Sequence, residues 1–242
     1  GRDSVGADHL LHDNLGGTSI LYETTNRTGN WQSRQLMVTG TTNNLYAEFD
    51  GSDIIHALFT SGTFYKSAYT ITTLDSPVGR PATPLMQDEA IGLDIIPDDG
   101  GRQDDILAAS LSGSNLRLYY STREEPAVNR RIVWQTSDAV TNYVNFYGKL
   151  HFDTTGTGHI VARLSDSVGG GYPVYYFYGS GNNWSNPVEL ARPNSDEYAV
   201  HAYFSGTEMN AIVQTSTDIQ HFVCSPSGTT SESILPALDP GD

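Results

Sequence analysis

The chain has 242 residues, enough for one large all-β or α/β domain or two modest ones, and in either case for a sizeable core. Its 13 Lys and Arg are outnumbered by 28 Asp and Glu, giving a formal charge of -15, and Lys66 and Lys149 are its two lysines. Affinity for nucleic acid or an anionic membrane draws on clustered Lys and Arg that release counterions; the densest basic run here is Arg130-Arg131, so neither is expected as a partner. Neutral or cationic ligands and metal ions remain. The single Cys224 excludes an internal disulfide, a cysteine-rich zinc site and a dithiol redox pair. No apolar run approaches the 18 residues of a membrane-spanning helix, and Gly1-Arg2-Asp3-Ser4-Val5-Gly6 lacks the basic and apolar regions of a secretory leader, so the chain is expected to be a processed or excerpted product. Sparse Lys with abundant Gly, Thr, Ser, Asn and Tyr fits an extracellular or cell-surface protein.

No segment sustains the i, i+3, i+4 apolar period of a helix; short runs of Ile, Val, Tyr and Phe alternate with Gly, Asp, Asn, Pro and Ser clusters, which predicts strands and turns throughout. In chain order, strands are expected at His9-Leu10-Leu11-His12-Asp13, at Ile20-Leu21-Tyr22-Glu23-Thr24 and around Trp31. A strand from Leu45 ending at the Asp50-Gly51 turn opens a unit continued by Ile55 to Ser61 and Phe64 to Ser67. The same order recurs from Leu93 to Asp98-Asp99-Gly100-Gly101, with Leu107 to Ser112, Leu118 to Thr122 and Val133-Trp134. It recurs again from Leu150 to Asp153-Thr154-Thr155-Gly156, with Ile160 to Ser165, Tyr175 to Ser180 and Trp184. The last copy runs from Val200 to Ser205-Gly206, with Asn210 to Ser216 and His221 to Ser225.

Ala57, Ala109, Ala162 and Ala211 mark the second strand of four copies at spacings of 52, 53 and 49 residues, and Leu11 takes that position in a weaker copy 46 residues before Ala57. A four-stranded unit of about 50 residues buries its two faces by radial stacking, which is the pattern of a β-propeller blade. The expectation is therefore an all-β fold: one domain over residues 1–242, a five-bladed β-propeller of four-stranded antiparallel blades. Ile234 to Asp242 resembles an opening strand and its turn, so the C-terminal strand is expected to close the ring, leaving the last blade without an outer strand.

The phrase Leu150-His151-Phe152-Asp153-Thr154-Thr155-Gly156-Thr157-Gly158-His159-Ile160-Val161-Ala162, followed by Val174-Tyr175-Tyr176-Phe177 and Asn183-Trp184-Ser185-Asn186-Pro187, resembles the blades of secreted sialidase-like (BNR-type) β-propellers. Four copies over about residues 43–225 carry part of it. The resemblance implies a propeller and, through the similar grammar of lectin propellers, glycan binding. It stops short of sialidase chemistry: the Asp-box S-x-D-x-G-x-x-W has no intact copy, Ser165 to Tyr172 being the nearest, and Arg163 is the one arginine placed on an inner strand where that family uses three.

The opening strand of each blade is expected to line the channel. Glu48, Asp94, His151 and His201 stand at even offsets from the turn that follows, so they share one strand face, with His56 and Arg163 on second strands nearby. If that face is the channel, Glu48 and Asp94 with His151 and His201 are the candidate catalytic set of a glycosidase or lyase, whose two carboxyl groups would flank the scissile bond at roughly 5 to 9.5 Å. The same groups equally suit a metal, or simple solvation in a wet channel. The acidic run Asp98 to Asp105, with Asp98, Asp99, Asp104 and Asp105, is the candidate Ca²⁺ site, although Asp and Gly are also ordinary turn residues. Tyr172, Trp184, Trp31, Arg163 and His56 are the candidate ligand-binding residues; aromatic faces stack on sugar rings, but one aromatic per blade also packs blades together. The expected function is a non-catalytic extracellular module binding glycan or protein, with Ca²⁺ as a candidate cofactor. The alternatives are a surface-layer, filament or appendage subunit that self-associates, and a glycosidase using the channel carboxylates.

Overall fold

The computed structural model describes the backbone of the strands from Asp8 to Pro236 and, with side chains, Asp8, Leu10, Leu107 and residues 116–120, 131–136, 147–164, 170–195 and 198–234. Among the described residues there is no helix, and the strands form five sheets. The first holds β1 (His9–Asp13), β2 (Ser19–Thr25) and β3 (Trp31–Val38) in that order. The second holds β4 (Thr42–Phe49), β5 (Ile54–Ser61), β6 (Phe64–Ile71) and β7 (Val78–Gly79), with β8 (Thr83–Met86) also paired to β6. The third is β9 (Glu89–Ile95), β10 (Asp104–Ser112), β11 (Asn115–Thr122) and β12 (Arg131–Gln135). The fourth is β13 (Tyr147–Phe152), β14 (Gly158–Arg163), β15 (Val174–Ser180) and β16 (Asn183–Trp184), with β17 (Val188–Ala191) also on β15. The fifth is β18 (Val200–Ser205), β19 (Glu208–Gln214), β20 (Asp218–Ser225) and β21 (Gly228–Pro236).

Each repeat alanine falls on the second full strand of its sheet: Ala57 on β5, Ala109 on β10, Ala162 on β14 and Ala211 on β19. The aligned register holds in detail. Ala162 faces Gly148 and Tyr175 across its ladder, and Ala211 faces Ala202 and Phe222 in the same two places. In the first sheet β1 carries Leu11, and residues 1–7, where an opening strand would precede it, lie outside the described residues.

The fifth sheet corrects one expectation. Gly228–Pro236 pairs antiparallel with β20 from Ser225↔Gly228 to Asp218↔Pro236, so this sheet does have an outer strand, and Ile234 to Pro236 belong to it. A tight turn at Pro226-Ser227 returns the chain at once beside β20. Residues 237–242, the rest of the segment expected to close a ring, lie outside the described residues.

Two compact units divide the chain, Gly1–Asp105 with Thr122–Asn129, and Ile106–Ser121 with Arg130–Asp242. In the second unit the fourth and fifth sheets pack face to face. Val161, Val174 and Tyr176 from one meet Ala202, Met209, Ala211, Val213, Phe222 and Cys224 from the other, all buried, with Tyr147, Tyr178 and Phe204 around them. Each Val, Met or Phe among them contributes about 1.5 to 3 kcal/mol by leaving water, and the alanines less. The opposite face of the fourth sheet is covered too: Trp134 on β12 lies 5.7 Å from Tyr175 and 6.1 Å from Phe177, centroid to centroid. With cover on both sides, every residue of β14 is buried, which is why Gly158-His159-Ile160-Val161-Ala162-Arg163 reads as a continuous run rather than an alternating one.

Candidate functional site

The candidate residues of the sequence fall in different places. Glu48 on β4 is the Cα partner of His56 on β5, Asp94 lies on β9, Trp31 opens β3, and Asp104 and Asp105 begin β10; the side chains of these six are outside the described residues, as are Asp98 and Asp99 altogether. The remaining ones are placed in detail. His151 does stand on the expected face, but that face is covered by the next sheet: its ring stacks on Phe204 of β18 at 4.1 Å between centroids. His201 projects from the other side of β18 and is exposed. The two histidines are therefore separated by a strand instead of converging on a channel, because a blade presents its alternating side chains to its two neighbours.

Trp184, on β16, is half-buried. Its indole N–H donates to the Gly181 carbonyl at 3.1 Å and its ring meets Tyr120 edge-on at 5.6 Å. The fit is close enough to fix its neighbour: a Cβ on Gly158 would lie 2.6 Å from the indole Cη2 and 2.9 Å from Phe152 Cε1. Arg163 is 8% exposed and donates to the Tyr198 carbonyl at 2.6 Å, so its charge serves loop anchoring between strands. Tyr172 is half-buried on a loop, its N–H donating to the Pro193 carbonyl at 2.8 Å.

Two hydrogen-bonded groups escaped the sequence reading. The first is Asp153, His159 and Tyr176. One carboxylate oxygen of Asp153 accepts from the Thr155 N–H at 2.8 Å, the Thr155 hydroxyl at 2.7 Å and the Thr157 N–H at 2.9 Å, and Gly156 takes the positive φ of 79° that the turn requires. The other oxygen lies 3.5 Å from His159 Nε2, whose Nδ1 is 2.8 Å from the Tyr176 hydroxyl. Burial works against ionising Asp153, but these hydrogen bonds outweigh it and bring the carboxyl down to about 2. Burial also lowers His159, against the pull of Asp153, and raises the Tyr176 hydroxyl. His159 and Tyr176 are fully buried, so the trio ties a turn to the interior of the sheet pair rather than presenting an acid or base to solvent.

The second group lies on the face of the fifth sheet that points away from the fourth. Its rows are set by register: Tyr203↔Asn210↔Val223↔Thr230 and His201↔Ile212↔His221↔Glu232. Tyr203 is 40% exposed, and its ring lies 6.3 Å from that of the exposed His201. Asn210, 7% exposed, is held at both ends of its amide: Nδ2 donates to the Glu208 carbonyl at 3.3 Å, and Oδ1 lies 2.9 Å from His221 Nε2. The other ring nitrogen of His221 is 3.2 Å from Glu232 Oε1, and the Glu232 side chain is 74% exposed. Both ring nitrogens thus face oxygen acceptors, and a protonated ring donates to both while pairing its charge with Glu232.

The aligned register shows what is unusual here. On the corresponding face of the fourth sheet the two rows are Lys149↔Val161↔Tyr176 and Tyr147↔Arg163↔Val174. Val161, Val174 and Tyr176, all core, correspond to Asn210, His221 and Val223. This substitution of polar for apolar residues at equivalent repeat positions was the signal available in the sequence.

No protein-family model matches the chain, and neither does any curated protein. Solved structures do resemble it. A family-25 polysaccharide lyase, an ulvan lyase bound to -[GlcA(1-4)Rha3S]-, aligns over 97% of this chain and 69% of its own at 11% identity and a TM-score of 0.56. A protein of unknown function from Dyadobacter fermentans aligns over 97% and 80% at 9% identity and a TM-score of 0.59. An exo-β-1,3-galactanase from Phanerochaete chrysosporium aligns at 13% identity and a TM-score of 0.49; this chain spans 98% of itself but 65% of that enzyme's length. The lyase and the galactanase are carbohydrate-active enzymes of propeller-type fold. At these identities the likeness shows fold alone: antiparallel sheets in a propeller-type arrangement. Nothing found in these comparisons supports the sialidase-like repeat family.

Proposed function

We propose that the chain is an extracellular, non-catalytic glycan-binding module whose sheets follow the β-propeller blade pattern, and that it binds through the face of its last sheet that carries Tyr203 and His201. The observation that carries this is the exposed Tyr203 and His201 pair beside the Asn210, His221 and Glu232 network. Sugar recognition combines an aromatic platform for the apolar face of a ring with a few fixed polar groups for its hydroxyls, and those two elements adjoin here. Four of the described carboxylates are fixed by hydrogen bonds. Asp153 is held in its turn, Glu189 by Arg192, Asp218 by Thr215 and Gln220, and Glu232 by His221.

A screen of the purified chain on a broad glycan array, in Ca²⁺ and in EDTA, tests the proposal; saturable binding without cleavage products is expected. Loss of the signal in EDTA would add Ca²⁺ as a cofactor and direct attention to Asp98 to Asp105. The fold likeness to a lyase favours a second reading, a lyase or glycosidase acting through Glu48 and Asp94. Cleavage products that disappear in Glu48→Gln while binding persists would establish it over the first.

A further inference from the structure

We propose that the seam between the fourth and fifth sheets is an acid-sensitive latch: protonation of the buried His159 parts the two sheets at Phe204 while the strands within each sheet stay paired. The latch is built by register. His151↔His159↔Tyr178 is one row of the fourth sheet, and Phe204↔Met209↔Cys224 is a row of the fifth. Phe204 brings the two rows together: its ring stacks on His151 at 4.1 Å and meets His159 at 5.1 Å between centroids. His159, Met209 and Cys224 are fully buried.

The site is built for a neutral ring. Asp153 is kept ionised by its turn, and an ionised carboxylate only accepts, so the ring hydrogen belongs on Nε2, 3.5 Å from Oδ2. Nδ1 then accepts from the Tyr176 hydroxyl at 2.8 Å. A second proton has to enter at Nδ1, where it reverses that bond and leaves the hydroxyl hydrogen of Tyr176 in need of another acceptor; among the described residues it has none. The surroundings oppose the charge as well. Phe204, Met209 and Cys224, which face the ring from the fifth sheet, carry no charge, and burial raises the Cys224 thiol to about 11. On the fourth sheet Tyr178 is the ladder partner on β15, a charge on His151 opposes one on His159, Lys149 stands two residues before His151 on the same face, and Asp153 attracts. Burial outweighs that attraction and holds the folded ring below the ordinary imidazole value of 6.5. Water reaching Nδ1 and the Tyr176 hydroxyl in an opened seam removes both penalties. The open form therefore binds the proton more tightly, and acid favours it as pH falls below about 6.5.

Cys224, the single cysteine of the chain, reports on the seam from within. The experiment treats the intact chain with dithiodipyridine, which reacts with thiols in mild acid as well as at neutrality, and divides each rate by that of the urea-unfolded chain at the same pH, with far-UV circular dichroism recorded in parallel. The normalised rate should rise about five-fold or more between about pH 7 and about pH 5 with the strand signal unchanged, since one coupled proton allows up to about ten-fold per pH unit. His159→Gln, which cannot take the proton, should give a flat profile. Should that variant not fold, the ring nitrogen shifts of His159 in the parent decide: they should show the Nε2–H tautomer at about pH 7 and a protonation midpoint below about 6.5. A flat rate in the parent, an equal rise in His159→Gln, a rise that accompanies loss of the strand signal, or a ring at about pH 7 that is already protonated or carries its hydrogen on Nδ1 overturns the latch.

Discussion

The fourth and fifth sheets offer the same face twice. In the fourth, Val161, Val174 and Tyr176 are buried against the following sheet, with Arg163 and Tyr147 bonding to backbone groups across the gap. In the fifth, the equivalent Asn210, His221 and Val223 lie beside an exposed tyrosine and a largely exposed glutamate. The backbone ladder is common to both, so strand pairing does not determine what a face is for. The difference lies in how polar groups are satisfied. An amide withdrawn from water costs about 1 to 3 kcal/mol unless it is hydrogen-bonded, and Asn210 is tolerated because Glu208 and His221 take its two ends. The fourth sheet buries this face as apolar core, and the fifth replaces part of that core with a hydrogen-bonded polar network.

The largest effect should come from breaking the register on which the comparison rests. Ala162→Asp places a charge in a fully buried position between Gly148 and Tyr175, and should cost about 3 to 5 kcal/mol, read as a collapse of the urea midpoint. An unchanged midpoint would mean the alanines are not equivalent. Exchanging residues between the faces sharpens the contrast. Val161→Asn should destabilise by about 1 to 3 kcal/mol, whereas Asn210→Val should stay within about 1 kcal/mol of the parent and weaken glycan binding. Similar costs for both would erase the distinction.

Tyr176→Phe leaves one nitrogen of the buried His159 without its hydroxyl partner and should cost about 1 to 2 kcal/mol, with glycan affinity unchanged. The same trio sets an acid limit. Folding lowers the affinity of His159 for a proton, so as pH falls below about 6.5 the unfolded chain takes up the proton first and stability declines. Asp153 adds a second loss. Its folded carboxyl sits at about 2, below the ordinary value, so its contribution is complete above about pH 4 and disappears as pH falls through about 2. Denaturation midpoints across pH should show both steps, and His159→Phe should flatten the first. A small stability effect, about 1 kcal/mol, belongs to Tyr203→Ala, because the residue is 40% exposed and the strand loses a β-favouring aromatic.

Much of the strand order was legible. The turn chemistry of Asp153 to Gly156 and the Ala162 to Ala211 spacing placed the second strands correctly, since alternation, turn residues and length are local properties. The fate of the aromatics was not. Trp184 sits among Asn and Ser like an exposed loop residue, yet its indole rests against Gly158 and Tyr120, and contacts across separate hairpins leave no local trace. His159 was read only as part of a repeat phrase; its meaning depends on Tyr176 being brought beside it.

What the residues determined alone was the β-strand grammar, the repeat register and the sign of the surface charge, because each follows from neighbours in the chain and from composition. Parity was legible as well: His151 and His201 do project from equivalent faces. Only the tertiary structure decided what stands opposite. Phe204 covers His151, while His201 remains exposed beyond the same strand. A strand's period of two specifies which side chains share a side, and packing between separate sheets specifies whether that side becomes core or site.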